Sequence, residues 1–94
     1  MPYIPRPDAG VFAAILPDQN VFLLHQDTRQ YYSLNQTGSL VWKMMERSAS
    51  VAEIAQALAG QFDVTPETAG EAVRELLHDL QSHKLITLSE ARPL

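Results

Sequence analysis

The sequence predicts an α+β domain, a three-stranded antiparallel sheet followed by three helices, from three observations. Residues 11–34 hold three short runs of aliphatic and aromatic residues, separated by the turn-forming stretches Pro17-Asp18-Gln19-Asn20 and Asp27-Thr28-Arg29. From Asn35 onward the apolar residues recur at the 3.6-residue helical period instead. Helix-capping signals at Asn35, Ser50 and Thr65 divide this second half into three segments.

Pro2, Pro5 and Pro7 punctuate the first ten residues, and Gly10 follows them. Proline removes an amide donor and disfavours helix in the residue before it, so residues 1–10 read as an extended N-terminal tail. The domain itself is placed at residues 11–88. Residues 11–16 form an apolar run bounded by Gly10 and Pro17, which fits a strand buried on one or both faces. In the second strand, residues 20–26, Phe22 and Leu24 point one way and Val21, Leu23 and His25 the other. The third strand covers residues 30–34, and turns this short give an antiparallel meander.

The Asn35 side chain can accept from an unpaired amide in the first turn of a helix. Leu40, Val41, Met44 and Met45 then supply the apolar stripe, widened by Trp42. Ser50 and Glu53 form a capping box for the second helix, which buries Val51, Ile54, Ala55, Leu58 and Phe62 and is loosened near its end by Gly60. Thr65-Pro66 is a cap followed by proline at the first helical position. The third helix, residues 66–82, carries Ala69, Ala72, Val73, Leu76, Leu77 and Leu80 at helical spacing. Residues 85–88 read as a short added strand or a packed segment, and residues 89–94 as a C-terminal tail. Three helices near a hairpin also describe a winged helix-turn-helix.

Ninety-four residues suffice for one core. Without cysteine there is no disulfide, thiolate metal site or thiol nucleophile. The start lacks the regions of a signal peptide and no apolar run reaches about 18 residues, so a soluble, cytoplasmic protein is expected. A net charge of −4 argues against nucleic acid or an anionic membrane as the main partner.

No catalytic constellation emerges. His78 and His83 lie about 140° apart around a helix and do not converge on one metal; His25 reads as a solvent-facing or satisfied strand histidine. The serines lack an elbow motif, and the single glycines make no phosphate loop. Trp42 and Met44-Met45 face the same way as the other apolar positions of their helix and read as core. Neither cofactor nor metal is expected, and a binding module is favoured over an enzyme.

Two features suggest what such a module binds. If sheet order follows the chain, the third strand, Gln30, Tyr31, Tyr32, Ser33 and Leu34, lies at an edge where another extended chain can pair. Ala69 and Ala72 are small enough for a peptide backbone to come close, and Val73 and Leu76 could line side-chain pockets. Along the same helix Glu67, Glu71, Glu75 and Asp79 recur every four residues. This acidic ridge is either a solvated face or a border that attracts a basic peptide. It would repel phosphates if the helix entered a DNA groove.

The run HQDTRQYYSLNQTGSLVWKMM, then SVAEIAQALAGQFDV, the long helix and KLI, resembles the PqqD-like proteins over roughly seven-tenths of the chain. These are leader-peptide recognition domains for ribosomally synthesised, post-translationally modified peptides (RiPPs). The resemblance is strongest in YYSLNQTGSLVW. It implies three strands and three helices, with a leader peptide added against the third strand beside the third helix. Residue by residue, it puts contacts on Tyr31, Tyr32, Ser33, Ala72, Val73 and Leu76, and makes Leu34, Asn35, Gly38 and Trp42 structural. Two positions depart from the pattern: many members have an acidic residue at His25 and a glycine at Arg29, and without glycine the tight hairpin is less firmly specified, leaving a longer or distorted turn open. The double tyrosine is most similar to stand-alone leader-binding proteins of lasso-peptide pathways. That implies a precursor leader and a leader peptidase or another RiPP-modifying enzyme as partners. The alternatives are a PqqD-type chaperone for a radical-SAM enzyme, a winged-helix DNA-binding regulator, and a small enzyme subunit.

Overall fold

The computed structural model describes residues 3–90. The elements run β1 (Tyr3–Pro7), β2 (Val11–Ile15), β3 (Val21–His25), β4 (Tyr31–Ser33), α1 (Gln36–Glu46), α2 (Val51–Phe62), α3 (Pro66–Ser82) and β5 (Ile86–Glu90). β2, β3 and β4 form an antiparallel meander in that order, and β1 pairs with β5 in a separate two-stranded sheet. No described helix is long and apolar enough to cross a membrane.

The meander and the three helices match expectation; the ends of the chain do not. Residues 3–7, read as a tail, are a strand against β5, with Pro5 fully buried. The rest of the expected C-terminal tail, residues 91–94, lies outside the described residues, as does Pro2. The prolines explain both the reading and the outcome. Asp8 N–H donates to Leu85 O, so the alternation of an antiparallel ladder turns Ile4 and Arg6 toward β5 and Pro5 and Pro7 away from it. Their missing amides fall on the unpaired side of an edge strand, where no ladder bond is lost.

A second correction concerns β2. Its run was expected to be buried, yet Phe12, Ala13, Ala14 and Ile15 are all exposed and only Val11 packs against the core. β2 is an outer strand of its sheet; on the central strand Val21, Leu23 and His25 are buried.

The core joins Val21 and Leu23 of β3 to Val41, Trp42 and Met45 of α1, Ile54 and Leu58 of α2, and Ala69, Val73, Leu77 and Leu80 of α3. The caps form as read: Asn35 Oδ1 accepts from Gly38 N–H (2.8 Å), and Thr65 Oγ1 accepts from Thr68 N–H (3.2 Å). Ser50 and Glu53 exchange their two capping-box bonds. The Ser50 backbone amide, with help from its hydroxyl, holds the Glu53 carboxyl below the usual carboxylate range.

Ser48, Asp63 and Lys84 close the three helices in the left-handed region without glycine. Arg29 does the same in the β3–β4 turn, at φ 58°. The hairpin therefore stays tight despite the missing glycine: Arg29 N–H donates to His25 O (2.8 Å) and His25 N–H to Gln30 O (3.0 Å). His25 is buried and satisfied. Its Nδ1 accepts from Asp27 N–H (3.2 Å), which leaves Nε2 to donate to Lys84 O (3.1 Å) and tie β3 to the segment before β5.

Candidate functional site: the β4 edge and the α3 groove

Strand β4 has β3 on one side and no strand on the other. Leu34 N–H donates to Val21 O and Gln30 O accepts from His25 N–H, so residues 30, 32 and 34 turn their backbones toward β3. Alternation leaves the N–H and C=O groups of Tyr31 and Ser33 pointing away from the sheet. The two tyrosines also diverge. Tyr31 is exposed, with its ring 5.6 Å from that of Phe22 on the uncovered face. Tyr32 is half-buried on the helix side, its ring 5.3 Å from that of His83 and its hydroxyl donating to Gln30 Oε1 (2.7 Å).

The C-terminal end of helix α3 meets β4 where His83 stacks near Tyr32, and a groove lies along the helix. Next to the end of β4 is a cavity of about 260 Å³ lined by Asn35, Thr37, Gly38, Leu58, Ala72, Glu75, Leu76 and Asp79. Thr37, Leu58 and Ala72 are shared with a second, more apolar cavity of about 160 Å³, which adds Phe62, Val64, Thr68 and Ala69. Glu75 and Asp79 are shared with a shallow depression bordered by Arg74 and His78. One flank of the groove is thus acidic and its floor apolar.

Gly38 shapes the groove through close packing. A Cβ there would stand 3.3 Å from Asn35 Oδ1, tighter than ordinary contact, and 3.4 Å from Leu34 Cβ, at the near limit of it. A polar depression of about 450 Å³, lined among others by Asp18, Asn20, Gln36, Lys43 and Gln61, shares no residue with this groove.

Among the residues singled out from sequence, Ala72, Leu76, Glu75 and Asp79 line the groove beside β4, and Ala69 lines its far end although it is buried. Tyr31 and Ser33 offer their backbones; Gln30, Tyr32 and Leu34 have theirs turned to β3. Val73 is corrected: it is fully buried in the core and lines none of these cavities. It follows Ala72 by about 100° around the helix, which carries it from groove to core. Thr37, Leu58, Phe62 and Val64 were missed. They come from the start of α1, the end of α2 and the link that follows it, and no sequence signal shows that these segments meet beside α3.

No group of three or more potential metal ligands occurs among the described residues. The fold and groove define a small α+β domain with an open strand edge and a groove along an amphipathic helix. It belongs to the PqqD family: residues 20–86 match the family model described as coenzyme PQQ synthesis protein D. Among solved structures, TbiB1 in complex with the TbiA(beta) leader peptide is similar at 28% identity and TM-score 0.84, over 93% of this chain and 99% of that one. A lasso peptide synthetase B1 complexed with the leader peptide is similar at 22% identity and TM-score 0.81, over 88% of this chain and 96% of that one. A third is the PqqD truncation of Methylobacterium extorquens PqqCD, a stand-alone RiPP recognition element, with 21% identity and TM-score 0.72 over 89% and 88% of the two chains. The latter two share the fold at lower identity. No curated protein sequence matches the chain.

Proposed function

We propose that this protein is a non-catalytic recognition element that binds the leader of a ribosomally made precursor peptide and delivers it to a modifying enzyme. Tyr31 and Ser33 carry the proposal: their backbone groups face outward at a sheet edge, alongside the groove of Ala72 and Leu76. A leader segment would add as a strand to β4 by main-chain hydrogen bonds, and alternate side chains would drop toward α3. The PqqD-family match and the likeness to leader-bound TbiB1 support this reading. Within the family, the Tyr31-Tyr32 pair favours a lasso-peptide pathway, with a leader peptidase or cyclase as recipient, over a radical-SAM partner. A DNA-binding role is disfavoured, because α3 exposes Glu67, Glu71, Glu75 and Asp79.

The test is a titration of isotope-labelled protein with the leader segment of a precursor reading frame encoded beside this chain. Amide shifts should cluster on residues 30–34 and along α3. Ser33→Pro removes an outward amide without breaking the β3–β4 ladder and should abolish or sharply weaken binding. Shifts clustered on β2 instead, or full affinity in Ser33→Pro, would refute the assignment.

A further inference from the structure

The sheet has a second open edge, and its chemistry differs from that of β4. Leu16 N–H donates to Asn20 O and Gln26 N–H to Gly10 O, so even-numbered residues of β2 turn their backbones toward β3. Ala13 and Ile15 therefore direct N–H and C=O outward, as does the C=O of Val11; Val11 N–H is held by Asp8 O in the preceding turn. The strand reads VFAAI, with Phe12 59% and Ile15 60% exposed. It contains no charge, proline or bulge, the features that keep edge strands apart.

Its order of side chains is also self-complementary. Placed antiparallel to itself about a twofold axis through Ala13, β2 sets Phe12 opposite Ala14 of a second copy, Val11 opposite Ile15, and Ala13 opposite Ala13. Each large ring then faces a small methyl on the outer face, and branched aliphatic pairs flank the axis on the other. The outward groups supply four hydrogen bonds: two between the Ala13 residues, and one from each Ile15 N–H to the opposing Val11 O.

We infer that β2 is a self-association edge, pairing two copies of this chain into a six-stranded sheet. The outer strands of that sheet are the two β4 strands, so both candidate peptide edges stay open. The interface is a single short strand, far below the area of a stable dimer, so association is weak and appears only at high protein concentration. Asp8 and Asp18 come opposite each other at its ends, so salt strengthens the pairing.

Sedimentation velocity from about 10 µM to about 1 mM protein tests this. Monomer–dimer exchange is expected, and Ala13→Pro, which removes the two central bonds while sparing the β2–β3 ladder, should weaken it at least about tenfold. Ala13→Lys sets two like charges face to face at the axis and should weaken it comparably. It keeps every backbone amide, so it remains informative if the proline variant unfolds. A strict monomer at the highest concentration would overturn the inference. So would a dimer indifferent to Ala13→Lys, a dimer lost in Ser33→Pro, or one dissolved by salt.

Discussion

The hydroxyl of Ser39 stands in for a rung of the sheet at Val21. Val21 N–H donates to Ser39 Oγ (2.8 Å), and the same hydroxyl donates to Leu34 O (3.2 Å), while Leu34 N–H still reaches Val21 O (2.9 Å). One of the two backbone bonds expected between Val21 and Leu34 is thus relayed through a side chain on α1. The relay lets β4 separate from β3 at Leu34 while the chain turns into the helix, and it keeps both buried groups paired. This junction sets where the β4 edge ends and the groove begins.

Ser39→Ala should therefore destabilise the fold by about 1–3 kcal/mol, since it strands a buried donor and acceptor together. Denaturant unfolding measures the loss, and amide exchange at Val21 should accelerate more than at Leu23. Unchanged exchange at Val21 would mean that the hydroxyl is not its essential acceptor.

Arg29 holds a left-handed conformation that strains an L side chain by roughly 1–2 kcal/mol. Arg29→Gly relieves that strain but gives the unfolded chain more freedom, so the net gain should be at most about 1 kcal/mol. A rise in Tm of a few degrees is expected, and a fall would mean that the Arg29 side chain makes stabilising contacts.

Trp42 is 1% exposed at the centre of the core, and its indole N–H has no partner among the described residues. Trp42→Ala should cost about 3–5 kcal/mol by opening a cavity, a large share of a small domain's stability. Thermal melts should show near-complete loss of folding. A well-folded variant that has lost only peptide binding would instead make Trp42 a ligand contact.

Glu75 and Asp79 border the groove beside Ala72, and both are exposed. Basic leader residues there would gain mainly in encounter rate, by up to about 1 kcal/mol per close pair, fading as salt shortens the Debye length below roughly 8 Å. Reversing both to lysine should slow leader association in stopped-flow measurements and leave Tm nearly unchanged or slightly raised. Rates indifferent to both the reversal and salt would make the ridge a solvated face.

The local elements were legible because each rests on neighbours in sequence. Asn35 caps Gly38, Ser50 and Glu53 cap each other, and the stripe from Ala69 to Leu80 recurs at helical period over the observed span of α3. A hairpin order and an exposed third strand followed from turns too short for any other connection. Pro5 and Pro7 show the limit of such reading, since local chemistry says only that they carry no amide. Pairing with β5, some eighty residues away, decides that those amides are not needed. Val73 and Ala72 show it again: periodicity placed both on the apolar side of α3, and the approach of α1 and α2 put one in the core and the other on the groove. The sequence by itself determined the three meander strands, the helices and the caps, whose hydrogen bonds close between near neighbours in the chain. Only the tertiary structure decided which backbone edges stay unpaired and which apolar faces stay uncovered, because those depend on how distant segments pack.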